Sequence, residues 1–198
     1  MIYVKLIVGL GNPGPEYEST RHNIGFVTLD AVCEKLRVPD YKKFKNYLLA
    51  RKDEWLFLKP LTYMNLSGQP VSSVMKEFDI KKSDLLIILD DVHIPLGKIR
   101  IRRRGSDAGH NGLKSVIEAL DSENFSRMRI GILPEVHESA SELTMPLEEF
   151  VLMNFLEEEL QCVQEIIPAA VELASCFIYQ NYKKMSAAYS RLCSLSVE

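Results

Sequence analysis

Two uninterrupted apolar runs, Lys5-Leu-Ile-Val8 and Leu85-Leu-Ile-Ile-Leu89, constrain this chain more than any other feature. Each is too short for a helix and lacks the polar alternation of a half-buried strand, so each reads as a buried strand. The first stops at Gly9 and the second at Asp90. Between and beyond them the pattern switches to helical spacing. Ile24, Val27, Ala31 and Val32 predict a helix over 23–37, closed by Pro39. Ser67 is placed to N-cap a helix running to about Phe78, with Pro70 tolerated in its first turn. Asn111–Leu120 reads as a third helix, and 157–192 as helical with a kink at Pro168. Residues 45–51 and 54–59 predict a hairpin around Lys52-Asp53-Glu54, and Lys98–Arg103 and Arg129–Leu133 predict further strands. Strands alternating with helices imply an α/β fold: a single domain over 1–198, with a mixed, twisted β-sheet flanked by helices.

Composition narrows the classes without choosing among them. At 198 residues, 46% hydrophobic and 26% charged, the chain is of ordinary globular make-up. No uninterrupted apolar run approaches the ~18 residues of a membrane span, and Met1–Lys5 does not read as a secretory leader. The expectation is a cytoplasmic protein with no membrane attachment. Cys33, Cys162, Cys176 and Cys193 show no C-x-x-C spacing, so they read as reduced structural thiols and not as a zinc site. Net charge is −3, but it is unevenly spread. Residues 1–114 carry 19 Lys+Arg against 13 Asp+Glu, whereas 115–198 carry 5 against 14. Such asymmetry suggests one side that faces a polyanion.

Gly9-Leu-Gly11-Asn-Pro-Gly14 follows the first strand and matches G-x-G-x-x-G. In a dinucleotide site that turn opens directly into a helix, whereas here Pro13 and the polar stretch Pro15 to Arg21 intervene. The motif instead sets Asn12 just past a strand's carboxyl end, where open α/β sheets bind ligands. His22 stands at the start of the following helix, where the helix N-terminus favours a neutral, proton-accepting imidazole. It needs a partner, and Asp90, at the end of the second buried run, is placed to orient it; Asp91 competes for that role. His93, His110 and His137 make weaker cases. Asn65 and Asn111 lie in two more polar loops, and no serine or cysteine is evidently paired with His22 as a nucleophile. A His–Asp pair among amides suggests hydrolysis by activated water, with Asn side chains as donors to carbonyl and oxyanion, and no metal-ligand cluster.

Lys98-Ile-Arg100-Ile-Arg102-Arg-Arg104 carries a further signal. Strand alternation would put Lys98, Arg100, Arg102 and Arg104 on one face, with Ile99 and Ile101 toward the core and Arg103 opposite. Neighbours on that face would stand ~6.6 Å apart, a row of cations suited to a phosphate backbone.

These residues together carry a resemblance. Val8-Gly-Leu-Gly-Asn-Pro-Gly14 with Glu16-Tyr17, and Thr20-Arg-His-Asn-Ile-Gly25, are similar to the opening of the bacterial peptidyl-tRNA hydrolase family. Lys59-Pro-Leu-Thr-Tyr-Met-Asn-Leu-Ser-Gly68, Leu89-Asp-Asp91 with Pro95-Leu-Gly97, Gly109-His-Asn-Gly-Leu-Lys114 and Arg127-Met-Arg-Ile-Gly131 follow in the family's order. The resemblance covers about residues 4–155. It implies hydrolysis of the ester joining a peptide to the 3′ end of tRNA, which recycles the tRNA. It implies His22 as the base and Asp90 as its stabiliser, with Asn12 distinguishing a blocked from a free amino group. Asn65 and Asn111 would position substrate and water, and Tyr17 and Tyr63 would line the place where tRNA and peptide meet. It further implies a monomer with tRNA as its partner and no cofactor. The chain departs from the family at Asp107 and Ala108, where Ala-Gly is usual, and at Ile132-Leu133-Pro134, where Gly-Arg-Pro is usual. Two rival readings are a non-catalytic RNA-binding relative of the same fold and a dinucleotide-binding oxidoreductase.

Overall fold

The structure, a computed structural model, describes residues 4–134 and 136–195. The first buried run forms β1 (Lys5–Gly9), which leads through two short 3-10 turns, Pro15–Tyr17 and Arg21–Asn23, into α1 (Ile24–Lys35). A short strand β2 (Lys42–Lys43) precedes the hairpin β3 (Tyr47–Lys52) and β4 (Trp55–Pro60). Next come α2 (Gly68–Glu77), the long β5 (Leu85–Pro95), β6 (Ile99–Arg102), α3 (Asn111–Leu120) and β7 (Ser126–Leu133). One-turn α4 (Leu147–Phe150) and the helices α5 (Glu157–Tyr179) and α6 (Tyr182–Leu195) complete the chain.

The seven strands form one sheet in the order β2-β3-β4-β1-β5-β7-β6. The centre, β4-β1-β5-β7, is parallel, while β2-β3, β3-β4 and β6-β7 are antiparallel, so the sheet is mixed. Period-two alternation along the central strands divides the core in two. Ile7, Leu86 and Ile88 pack with α1, α5 and α6 on one face, and Leu6, Val8, Ile87 and Leu89 with α2 and α3 on the other. The chain leaves β1 toward β4 and leaves β5 toward β7. The carboxyl ends of β1 and β5 therefore flank a topological switch point, where α/β sheets leave a crevice.

Several expectations change in detail. Asp90 does not terminate its strand; β5 runs on to Pro95, and on the β1 side Asp90 has no strand partner because β1 stops at Gly9, opposite Ile88. Ser67 precedes α2 but makes no side-chain cap; the Gly68 N–H is taken by Ser115 Oγ of α3 at 3.0 Å. The C-terminal helix passes through Pro168 and breaks at Gln180 instead. There Lys5 Nζ, on β1, donates to the carbonyls of Phe177, Ile178 and Gln180 at 2.8 Å each, a cation on the helix's negative end. By length and composition alone α5 could cross a bilayer, although it holds no uninterrupted apolar run of that length. Its apolar face, including Ala170, Leu173, Ala174 and Phe177, is buried in the core against α1 and α6.

Candidate active site

Two glycines bring α1 down onto the switch point. A Cβ on Gly25 would strike the backbone oxygens of Leu10 and Ile88, the latter at 2.6 Å, and one on Gly9 would strike Gly25 itself. Only hydrogen at both positions lets the helix start lie against the strand ends. The 3-10 turn before it, which carries His22, is thereby set over the end of β1. It is locked from outside by backbone bonds from Arg21 N to Met153 O (3.0 Å) and from His22 N to Val151 O (2.8 Å). Arg21 adds to the lock: it pairs with Glu159 of α5 at 2.6 Å and lies over the Phe150 ring.

Asp90 faces the α1 side, as Ile88 and Leu86 do, and is 2% exposed. Its Oδ1 accepts from His22 Nδ1 at 2.8 Å and from His110 Nε2 at 3.0 Å. Burial alone would push the Asp90 carboxyl up; the two imidazoles outweigh it and hold the group well below the usual carboxylate range. Asp91, one residue on, points to the opposite face. It accepts from Arg129 Nη1 at 2.9 Å and from its neighbour His93 N at 2.8 Å, which leaves Asp90 as the partner of His22. The histidine placed lower from sequence, His110, thus belongs to the centre of the site.

His110 fixes the protons. It N-caps α3, its Nδ1 accepting from the Leu113 N–H at 3.2 Å. That ring nitrogen must be bare, so the proton sits on Nε2 and is donated to Asp90. Asp90 Oδ1 takes the Nδ1 proton of His22 as well, and His22 is left with a bare, basic Nε2. The fold does gather a group with metal-ligand types, contrary to expectation: one ligand atom each from His22, Asp90 and His110 lies within 4.8 Å of the others. The cap opposes a metal there. A cation on His110 Nε2 would move the ring proton to Nδ1, where it would face the Leu113 N–H donor to donor.

His22, Asp90, His110 and Asn111 line one cleft of about 140 Å³. Asn111 is the first residue of α3 and is exposed. Asn12 is buried and lines a separate cavity, not this cleft; it is tied to the His22 turn through Asn23. Its Oδ1 accepts from Met64 N at 2.9 Å, while its backbone is clasped by Asn23, which accepts from Asn12 N (2.8 Å) and donates to Asn12 O (3.0 Å). Among the described residues the Asn12 Nδ2 has no acceptor, so it is a donor held ready. Asn23 was not singled out from the sequence; its signal is the residue next to His22 in the same turn. Tyr63 and Asn65 flank Met64 on the 3-10 turn that Asn12 holds, both exposed, Tyr63 by 64%. Tyr17 ends the 3-10 turn Pro15–Tyr17 and is half-buried. Neither tyrosine nor Asn65 lines the His22 cleft.

The basic stretch keeps its alternation only over β6. Ile99 and Ile101 are buried and Arg100 and Arg102 exposed, with Lys98 exposed just before the strand. The strand ends at Arg102, so Arg103 and Arg104 lie in a bend, both exposed, and alternation does not assign them to opposite faces. None of the ion pairs among the described residues involves Lys98, Arg100, Arg102, Arg103 or Arg104. Arg100 and Arg102 pair in register with Arg129 and Arg127 of β7, which are buried. Those two arginines anchor the loop that leads to His110: Arg127 donates to Gly105 O, and Arg129 to Ser106 O at 2.9 Å. Burial and the neighbouring Arg129 lower the Arg127 pKa to about 10. In the same loop Ala108 is held at φ +55°, a conformation that favours glycine, and Asp107 Oδ1 accepts from Gly109 N at 2.7 Å.

Comparison with known proteins identifies the family. A family model described as peptidyl-tRNA hydrolase matches residues 6–195. The chain is 45% identical to a peptidyl-tRNA hydrolase of Shouchella clausii, over 94% of this chain and 100% of that one. It is 41% identical to the enzyme of the same name from Metamycoplasma arthritidis, over 91% and 94%. Its fold is similar to the crystal structure of peptidyl-tRNA hydrolase from Acinetobacter baumannii, with a TM-score of 0.84 and 30% identity, covering 96% of this chain and 95% of that one.

Proposed function

This chain belongs to the peptidyl-tRNA hydrolase family, and from that premise we propose how its own residues divide the reaction. The protein is a hydrolase acting on peptidyl-tRNA, and the oxidoreductase and non-catalytic readings are not favoured. His22 Nε2 takes a proton from water as the water oxygen attacks the ester carbonyl. Asp90, already receiving the Nδ1 proton, stabilises the imidazolium that results. The tetrahedral oxyanion is met by an amide donor, the side chain of Asn111, while Asn12 Nδ2 donates to the carbonyl that blocks the amino group. Collapse breaks the bond to the ribose oxygen, which recovers the proton from His22, so free peptide acid and tRNA leave.

The exposed row Lys98, Arg100 and Arg102, continued by Arg104 beyond the strand, is where the tRNA phosphates lie. Arg127 and Arg129 hold the loop between that row and the catalytic histidines. Tyr17, Tyr63 and Asn65 stand around the Asn12 turn, where the terminal nucleotides and the first peptide unit meet. The protein acts as a cytoplasmic monomer on tRNA, with no obligate protein partner and no cofactor.

One observation carries this division: both histidines deliver their protons to the same Asp90 oxygen, which leaves one basic nitrogen in the cleft, on His22. Incubating the protein in parallel with N-acetyl-aminoacyl-tRNA and unblocked aminoacyl-tRNA tests it. Release of tRNA from the blocked ester alone is expected; equal release from both would remove the role of Asn12.

A further inference from the structure

The order of strands across the sheet gives the substrate a direction. The cations stand on β6 at one edge, Asp90 lies on β5, Asn12 follows β1, and β4 and β3 lie beyond. An ester held at His22 has its alcohol on one side and its acyl group on the other. If the tRNA approaches from β6, the peptide must leave across the ends of β1, β4 and β3.

A cavity of about 360 Å³ lies there, with Asn12 in its wall. Its apolar lining is Phe26 and Val27 of α1, Leu48 of β3 and Leu61 just past β4. Val27 is 40% exposed, an apolar side chain left open in this wall. Asp30 is neutralised by its ion pair with Lys59, so Glu18 gives the cavity its net negative charge. Lys59 also borders it but is not a free cation: its Nζ is paired with Asp30 and lies over the Phe26 and Tyr41 rings, 5.1 and 5.2 Å from their centroids. An apolar side chain entering this space meets apolar walls, whereas a carboxylate meets Glu18 with no unpaired cation to balance it.

We propose that this cavity seats the side chain of the peptide residue next to the esterified one, and selects an apolar side chain over an acidic one there. The proposal rests on the hydrolase reading above, in that it takes the tRNA to lie on the β6 side. Asn12 then stands at the boundary, with its free amide toward the bond that blocks the amino group and its neighbours Pro13 and Gly14 in the peptide's wall.

Three substrates on one tRNA test it: N-acetyl-Phe-tRNA, N-acetyl-Leu-Phe-tRNA and N-acetyl-Glu-Phe-tRNA. The expected kcat/KM for the Leu substrate exceeds that for the Glu substrate by ~10-fold or more. Val27→Glu should cut the ratio of the Leu substrate to N-acetyl-Phe-tRNA by a similar factor. Should that variant not fold, Glu18→Lys, at an exposed position, should bring the Leu-to-Glu ratio toward one. Equal kcat/KM for the Leu and Glu substrates in the wild type, or ratios that neither variant moves, would overturn the proposal. Failure of the wild type to hydrolyse N-acetyl-Phe-tRNA is a separate result, and it would overturn the hydrolase reading itself.

Discussion

The rings of His22 and His110 stand 4.9 Å apart, centroid to centroid, tilted by 44°, because both donate to one oxygen of Asp90. The two rings come from opposite sides of the sheet, His22 from the start of α1 and His110 from the cap of α3. The two contacts to Asp90 are therefore set by a helix cap on one face and a glycine contact on the other.

The cap and the catalytic bond can be separated at His110. His110→Ala should lower stability by about 1 kcal/mol through loss of the cap on α3. It should also lower kcat at least ~10-fold with little change in KM, since one hydrogen bond to a buried carboxylate is lost. His110→Ser can still cap the helix but falls short of Asp90. Thermal melts and kinetics on the pair should show stability restored and rate not. Recovery of both would reduce His110 to a cap.

The close approach of α1 predicts a sharp effect from one methyl group. Gly25→Ala must push the helix off Leu10 and Ile88, which costs about 1–3 kcal/mol by overpacking and moves His22 away from Asp90. Both denaturant midpoint and kcat should fall. A fully active Gly25→Ala enzyme would mean the glycine contact does not set the position of His22.

Ala108 bears a left-handed backbone, a conformation that favours glycine. Ala108→Gly removes a strain of about 1–2 kcal/mol and adds unfolded-state entropy of somewhat less. Denaturation should show a gain of roughly 0.5 kcal/mol. A loss of the same size would show that the loop does not adopt this conformation in solution.

The basic strand gives a salt-dependence test. Arg102→Ala should weaken tRNA binding and reduce the slope of log K against log salt by ~1. Arg103, which alternation would place opposite the row, cannot serve as an opposite-face control because it lies exposed in the bend after β6. Arg51, exposed on β3 across the sheet, replaces it. Equal slopes for Arg102→Ala and Arg51→Ala would place the RNA elsewhere.

Much of this arrangement was legible before any coordinates, for local reasons. Continuous apolar runs betray central strands whatever packs on them, and Ile99-Arg100-Ile101-Arg102 declares its two faces by period alone. His22 was readable from its place just before a helix and Asp90 from the end of its apolar run, although the strand continues to Pro95, and both from the resemblance. What could not be read depends on partners distant in sequence. Asp90 meets His22 68 residues away and His110 20 residues away, so neither spacing resembles a motif. The cap of α2 comes from Ser115 and not from Ser67, because the two helices approach so closely that a Cβ on Gly68 would strike Ser115. The helix break falls at Gln180 and not Pro168, because Lys5 at the far end of the chain takes the carbonyls there.

The central claim is that His22 Nε2 is the base, prepared by Asp90. Single-turnover hydrolysis of N-acetyl-aminoacyl-tRNA by His22→Ala at saturating enzyme, with tRNA affinity measured alongside, tests it most directly. The account predicts a loss of at least ~10²-fold in rate at nearly unchanged Kd. A near-wild-type rate would contradict it.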